Sequence, residues 1–125
     1  MSVTAMDLHE RTARMSIHEV VRELSAALGP TLVAALVGTT NTKAPIRWAK
    51  SDGPEPGPDF TRRLQVGHRL WASLSAVEGP GVARNWFLGA NPFLGEDTPI
   101  TAIREDRTKQ VVAAAAAFAA DQPAA

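Results

Sequence analysis

Residues 83–103 constrain the fold of this chain most strongly, because they place a sharp corner between two apolar segments. The pair Asn91-Pro92 must end the helix before it, since proline lacks an N–H and disfavours helical geometry in the preceding residue. Gly95 can adopt a positive φ that other residues resist, and a Thr-Pro pair at 98–99 is typical of a helix start. The spacing therefore predicts one tight corner that buries Trp86, Phe87, Phe93 and Leu94.

Upstream of this corner the sequence shows helical periodicity, interrupted by glycine and proline. Ser16 and Glu19 have the spacing of a capping box, and residues 51–58 must be a loop because they contain neither a helix former nor a strand former. No segment shows the sustained alternation of a strand, so we predict an all-α fold, a small multi-helix bundle. We expect a flexible N-terminus over 1–15, a helix-turn-helix-like half over 16–78, a C-terminal half over 79–120 and a loose tail over 121–125.

Two short predicted helices, 32–36 and 42–50, are separated by a turn that contains Gly38, which resembles a helix-turn-helix. The second carries Ile46 and Trp48 and would be the recognition helix. Asparagine and arginine can make bidentate contacts to base edges, and lysine can reach phosphates. A surface helix that packs on the next helix explains the same residues, so both interpretations stay open. The predicted DNA-binding residues are Asn41, Thr42, Lys43, Arg47, Lys50, Arg62 and Arg63.

Charge is distributed unevenly along the chain, although the formal net charge is zero. Residues 41–70 hold six Lys/Arg against three acids, whereas residues 71–106 hold two Lys/Arg against five acids. A basic middle and an acidic C-terminal third suit two different partners, one of which could be nucleic acid. Ordinary scatter of surface charge explains the same counts.

The order of motifs in 83–103 resembles the C-terminal domain of the Xre/MbcA/ParS-type antitoxins. It has an apolar Trp-Phe helix, an Asn-Pro turn, a Leu-Gly pair and a Thr-Pro pair that starts the next helix. The resemblance covers the last third of the chain directly and the upstream half more loosely. It implies an N-terminal helix-turn-helix and a C-terminal domain that contacts a cognate RES-type toxin, a class associated with NAD⁺ breakdown. After Val111 the family's usual leucine and terminal glycine pattern is replaced by alanines.

The function that the resemblance implies is an antitoxin of a type II toxin–antitoxin pair. It would neutralise the toxin by covering the substrate entrance, and it could regulate its own expression by binding operator DNA. Palindromic operators match two-fold proteins, so a homodimer is expected. A stand-alone helix-turn-helix transcriptional regulator without a toxin is the alternative, and an adaptor with the same fold is a third interpretation.

The partner surface of such an antitoxin would lie in the acidic C-terminal third. Trp86 and Phe87 are adjacent and point about a hundred degrees apart on a helix, so one could be core and the other partner-facing. Four acids, at 96, 97, 105 and 106, could pair with basic groups of the toxin's site. The expected partner-binding residues are Phe87, Asn91, Phe93, Glu96, Asp97, Arg104 and Lys109.

Residues that could carry chemistry are few and scattered. The chain has no cysteine, and its three histidines lie in three segments without the spacing of metal ligands. His68 is expected on the polar side of its helix, and Asp106 is expected to cap the last helix. We therefore predict no enzymatic activity, no metal and no cofactor. The sequence has no signal-peptide pattern and no apolar run long enough for a bilayer, so a cytoplasmic protein without membrane association is expected.

Overall fold

The computed structural model describes residues 5–121, and the side chains of residues 7–120. Within this range the chain is all-α, as predicted, with eight α-helices, one 3₁₀ turn and no strand. The helices are α1 Ala5–Arg14, α2 Ile17–Leu28, α3 Pro30–Val37, α4 Ala44–Trp48, α5 Pro58–Glu78, α6 Pro80–Leu88, α7 Pro99–Arg104 and α8 Thr108–Asp121, and the 3₁₀ turn Pro92–Leu94 lies between α6 and α7.

The predicted caps at Ser16 and Thr98 and the predicted corner between α6 and α7 are confirmed. The Ser16 hydroxyl accepts a hydrogen bond from the Glu19 N–H, and the Thr98 hydroxyl accepts one from the Thr101 N–H. Helix α6 ends before the Asn-Pro pair, and α7 begins with the proline that follows its cap. Gly95 has a φ of 64°, in the left-handed region that the corner requires. Local chemistry therefore determines where these helices begin and end.

Helix α5 is the centre of the fold, because it packs against α1, α2, α3, α6, α7 and α8. Gly67 lets α5 approach α3 closely, since a Cβ atom at this position would lie 2.9 Å from Leu36 Cδ1. Helix α3 also packs against α7, and one cluster of buried apolar side chains takes residues from α2 through α8. The predicted halves 16–78 and 79–120 therefore share a single core.

Most of the predicted flexible start is a helix, which corrects the expectation for 1–15. Helix α1 is held by polar long-range contacts: Thr12 is 3% exposed, and Arg11 forms an ion pair with Glu23 of α2 at 2.8 Å. These partners lie far along the sequence, so local periodicity does not reveal the docking of this helix. Residues 1–4, at the start of that segment, and 122–125, in the predicted tail, lie outside the described residues.

In the part of the chain that the structure describes, no single helix is long and apolar enough to cross a membrane. Helices α2 and α3 together reach the necessary length and apolarity, but they are bent by 117° at the break between them.

Candidate functional site

The corner after α6 is built around Asn91, whose polar groups close the loop from both sides. Its Oδ1 accepts a hydrogen bond from the Phe93 N–H at 2.9 Å, and its own N–H donates to the Asp97 carbonyl at 3.0 Å. Its carbonyl accepts from the N–H groups of Leu94 and Glu96, both at 2.9 Å. Since Asn91 is only 9% exposed, it positions the corner and offers little of its side chain to a partner.

The aromatic rings near the corner are arranged differently from the prediction. Trp86 and Phe87 are both buried and meet edge to face, with ring centroids 5.1 Å apart. The prediction of Phe87 as a partner-facing residue is therefore corrected, because its ring has no exposed surface. Phe93, predicted to be buried, is 61% exposed, since the short 3₁₀ turn places the neighbouring Leu94 in the core instead.

Apolar side chains at the corner, some exposed and some buried, line two adjoining hollows. One hollow, of about 370 Å³, is lined in part by Val82, Trp86 and Phe118. The other, of about 190 Å³, is lined in part by Phe93 and Phe118. We define the corner surface as Val82, Trp86, Pro92, Phe93 and Phe118. Exposed apolar and aromatic side chains beside such hollows suit a contact with another protein.

The acids predicted to meet basic groups of a partner are mostly engaged within the chain. Arg107 pairs with Asp97 at 2.8 Å and with Glu105 at 3.4 Å, and it also donates to the Leu94 carbonyl at 3.1 Å. Hydrogen bonding to Asp97 is the largest cause that raises the pKa of Arg107. Glu96 is exposed and makes no ion pair with any described residue. The other three acids, at 97, 105 and 106, are each paired with an arginine of the described chain.

Asp106 pairs with two arginines of α5, which corrects its predicted role as a helix cap. It adopts a positive φ of 59°, and the first backbone bond of α8 goes to the Arg107 carbonyl. Arg63 donates to both carboxylate oxygens of Asp106, at 3.1 and 2.9 Å, and Arg62 donates to one at 3.0 Å. The hydrogen bonds from Arg63 and then Arg62 lower the pKa of Asp106 from 3.8 to about 2.

We expect Asp106→Asn to destabilise the protein by at most about 1 kcal/mol at pH 7, because a partly exposed ion pair is screened by solvent. The folded-state pKa of Asp106 lies below its unfolded value, so this stabilisation is complete above pH 4 and is lost as the pH falls toward 2. Urea unfolding at pH 7, 4 and 2.5 measures the difference between variant and wild type. A difference that stays constant across this range would contradict the prediction.

The matched control for this measurement is Glu96→Gln, at an exposed carboxylate that also has a positive φ but lacks an ion pair. It should change the free energy of unfolding by less than about 0.5 kcal/mol at pH 7.

Two of the predicted DNA-binding residues, Arg62 and Arg63, lie in this ion-pair cluster. Arg62 also pairs with Asp59 at 3.0 Å, and Arg63 also donates to the Val37 carbonyl at 2.6 Å. Their guanidinium groups therefore stabilise the contact between α5, the end of α3 and the α7–α8 connection. Arg62 and Arg63 are therefore engaged in contacts within the fold and lie apart from the five other predicted DNA-binding residues.

Those five residues lie in and around α4: three before it, Arg47 within it and Lys50 just after it. Asn41 and Thr42 are exposed in the preceding turn, where Asn41 Oδ1 accepts a hydrogen bond from the Lys43 N–H at 3.0 Å. The helix is shorter than the predicted 42–50 and turns three side chains inward: Ala44, Pro45 and Trp48. We define the α4 face as the exposed residues Lys43, Ile46, Arg47 and Lys50.

Helix α4 is held in place by two side chains of α2 that the sequence analysis did not identify. The Trp48 carbonyl accepts a hydrogen bond from His18 Nδ1 at 2.7 Å, and the Ala49 carbonyl accepts one from Arg22 at 3.0 Å. The Trp48 ring also packs against Phe60, with centroids 5.6 Å apart. The i, i+4 spacing of His18 and Arg22 places both on one side of α2 and is the signal that could have revealed this role.

The last two predicted partner-binding residues differ in availability. Arg104 donates to the Ala35 carbonyl and to the Thr101 hydroxyl, both at 3.3 Å, so its guanidinium joins α7 to α3. Lys109 is exposed in the first turn of α8 and is free of ion pairs within the described chain. Of these two, only Lys109 presents an unengaged charge to a partner.

His68 is fully buried, which corrects its predicted place on the polar side of its helix. Its Nε2 donates to Glu23 at 2.9 Å, and its Nδ1 lies 2.8 Å from the Thr12 hydroxyl. Since Glu23 also pairs with Arg11, one polar network joins α1, α2 and α5. Among the described side chains no group of three or more potential ligands could hold a metal ion.

Comparison of the chain with protein-family models, with curated proteins and with solved structures found no significant match. The antitoxin resemblance rests on the motif at 83–103.

Proposed function

We propose that this chain is an antitoxin of a type II toxin–antitoxin pair, which neutralises a RES-type, NAD⁺-degrading toxin by covering its substrate entrance. The observation that carries the proposal is the corner surface, where Phe93 is 61% and Val82 41% exposed beside two apolar hollows. Most of this surface lies in the segment 83–103, on which the antitoxin resemblance rests. Aromatic side chains of this kind are enriched at the centres of protein interfaces.

Local hydrogen bonds hold the corner in one conformation, which favours its use as an anchor. Asn91 closes the loop, and Arg107 ties it to α8 through the Leu94 carbonyl and the Asp97 carboxylate. A rigid loop loses little conformational entropy when a partner binds. In this proposal inhibition is steric, and the unpaired carboxylate of Glu96 is available to a basic group of the toxin.

The first experiment is capture of the tagged full-length chain from its native cells, with identification of its partners by mass spectrometry. The proposal requires a stoichiometric partner that depletes cellular NAD⁺ when expressed alone and stops doing so when this chain is co-expressed. A chain recovered without such a partner would overturn the antitoxin proposal.

We expect Phe93→Ala to weaken binding to that toxin by about 30-fold, which corresponds to the roughly 2 kcal/mol of an interface hot spot. The protein should remain folded, because the ring it loses is mostly in solvent. Isothermal titration calorimetry measures the affinity, and NAD⁺ levels in co-expressing cells measure neutralisation. Unchanged affinity in a folded Phe93→Ala variant would exclude the corner surface as the toxin contact.

Val77→Ala provides the matched control, because Val77 is 66% exposed on α5 and does not line either hollow of the corner surface. Toxin affinity should be unchanged in this variant.

A DNA-binding transcriptional regulator is the second candidate, and the α4 face is the observation that favours it. Lys43, Arg47 and Lys50 are exposed together and are not ion-paired to any described carboxylate. The double variant with Arg47→Ala and Lys50→Ala separates the two functions. It should abolish operator binding by a regulator, yet leave toxin neutralisation by an antitoxin unchanged.

A further inference from the structure

One large apolar side chain lies beside the cations of the α4 face. Ile46 is 52% exposed, and three exposed cations flank it along the chain: Lys43 at the N-cap of α4, Arg47 next to it, and Lys50 just beyond the end of this five-residue helix. A single exposed isoleucine is ordinary on a protein surface. Here it projects from a helix whose C-terminal end is fixed by His18 and Arg22, so the backbone that carries it has a defined position.

Duplex DNA matches this combination of groups. An α-helix fits the major groove, where lysine and arginine can reach the phosphates on either side. The C5-methyl group of thymine is the apolar feature of the base edges in that groove, and an apolar side chain reads it by contact. An acidic protein surface would attract the same cations, and the toxin-binding measurement below separates that case from DNA.

We propose that Ile46 contacts the C5-methyl group of a thymine in the major groove and is a specificity-determining residue of the α4 face. The inference rests on the DNA-binding part of the proposed function and names what that surface reads. Lys43 and Lys50 would contact phosphates and fix the register, while Ile46 distinguishes thymine from the other bases. Arg47, next to it, is placed to reach a neighbouring guanine edge.

The test removes the methyl group from the DNA and the side chain from the protein. Duplexes that bind the full chain are selected from a randomised pool at low salt, and each thymine of the selected site is then replaced by deoxyuridine. At one or two positions the replacement should weaken wild-type binding about fourfold, the factor that follows from burying one methyl group. Ile46→Ala should bind the thymine duplex more weakly by at least the same factor and should bind thymine and deoxyuridine duplexes equally.

Val77→Ala is the control, since it removes an apolar side chain that is even more exposed, at 66%, from another helix and should keep the wild-type preference. If wild type is insensitive to every deoxyuridine replacement, or Ile46→Ala keeps the preference, the assignment of Ile46 is overturned while DNA binding stands. If no duplex is selected, the DNA-binding part itself is overturned, and the antitoxin part is decided separately by the NAD⁺ measurement. If Ile46→Ala weakens toxin binding instead, the α4 face is a protein interface and the inference is also overturned.

Discussion

Replacing Phe87 by alanine is expected to lower the free energy of unfolding by about 3–5 kcal/mol, the usual cost of truncating a buried phenylalanine. The ring is fully buried and packs edge to face on Trp86, in the core that α6 shares with α5. Its removal leaves a cavity that the surrounding helices can fill only partly, because each is held by its own contacts. Urea denaturation followed by tryptophan fluorescence or circular dichroism measures the change.

Phe93→Ala is the matched control for this prediction, since it removes the same ring from an exposed position. Its free energy of unfolding should change by no more than about 0.5 kcal/mol. The two variants therefore separate stability from binding: Phe87→Ala should unfold easily, whereas Phe93→Ala should fold normally and bind the proposed toxin about 30-fold more weakly. Equal stability losses in the two variants would contradict the placement of these rings.

Replacing His68 by alanine is expected to cost about 2–4 kcal/mol and to loosen α1. The variant loses hydrogen bonds that connect Thr12 of α1 and Glu23 of α2, and it opens a cavity beside the Trp71 ring, whose centroid lies 5.8 Å from the imidazole. Urea denaturation gives the stability, and limited trypsin digestion reports the docking of α1. Cleavage after Arg11 and Arg14 should become faster in the variant.

His9→Ala is the corresponding control, because His9 is exposed on α1 and its Nδ1 accepts a hydrogen bond from Arg69 at 3.0 Å. It should leave both stability and trypsin cleavage close to wild type. A His68→Ala variant that behaves like His9→Ala would show that the buried network does not hold α1 in place.

The two candidate surfaces share structural supports, which matters for the interpretation of any variant. Arg63 donates to the Val37 carbonyl, and Arg104 donates to the Ala35 carbonyl, so α5 and α7 hold the end of α3 from which the turn to α4 begins. A substitution in these supports would disturb the α4 face and the C-terminal region together. Loss of both DNA and toxin binding therefore indicates a change in the core, whereas loss of one identifies a surface residue.

The amino-acid sequence by itself determines the all-α class and the positions of the principal turns. Proline at 92 and 99, glycine at 38 and 95, and the hydroxyl caps at 16 and 98 all act within about four residues of themselves. Their effects depend on backbone geometry and on hydrogen bonds to adjacent N–H groups, which a linear sequence contains completely. The Asn91 corner was predicted correctly in outline for this reason.

Only the tertiary structure decides which side chains of these elements are available to a partner. Phe87 is buried and Phe93 exposed, although both are phenylalanines beside the same turn. His68 is buried because Thr12 and Glu23, far away in the sequence, satisfy its ring nitrogens, and Asp106 is engaged because two arginines of α5 reach it. Burial and ion pairing depend on which distant helices meet, and that depends on how the whole set of apolar faces packs into one core rather than on any local pattern.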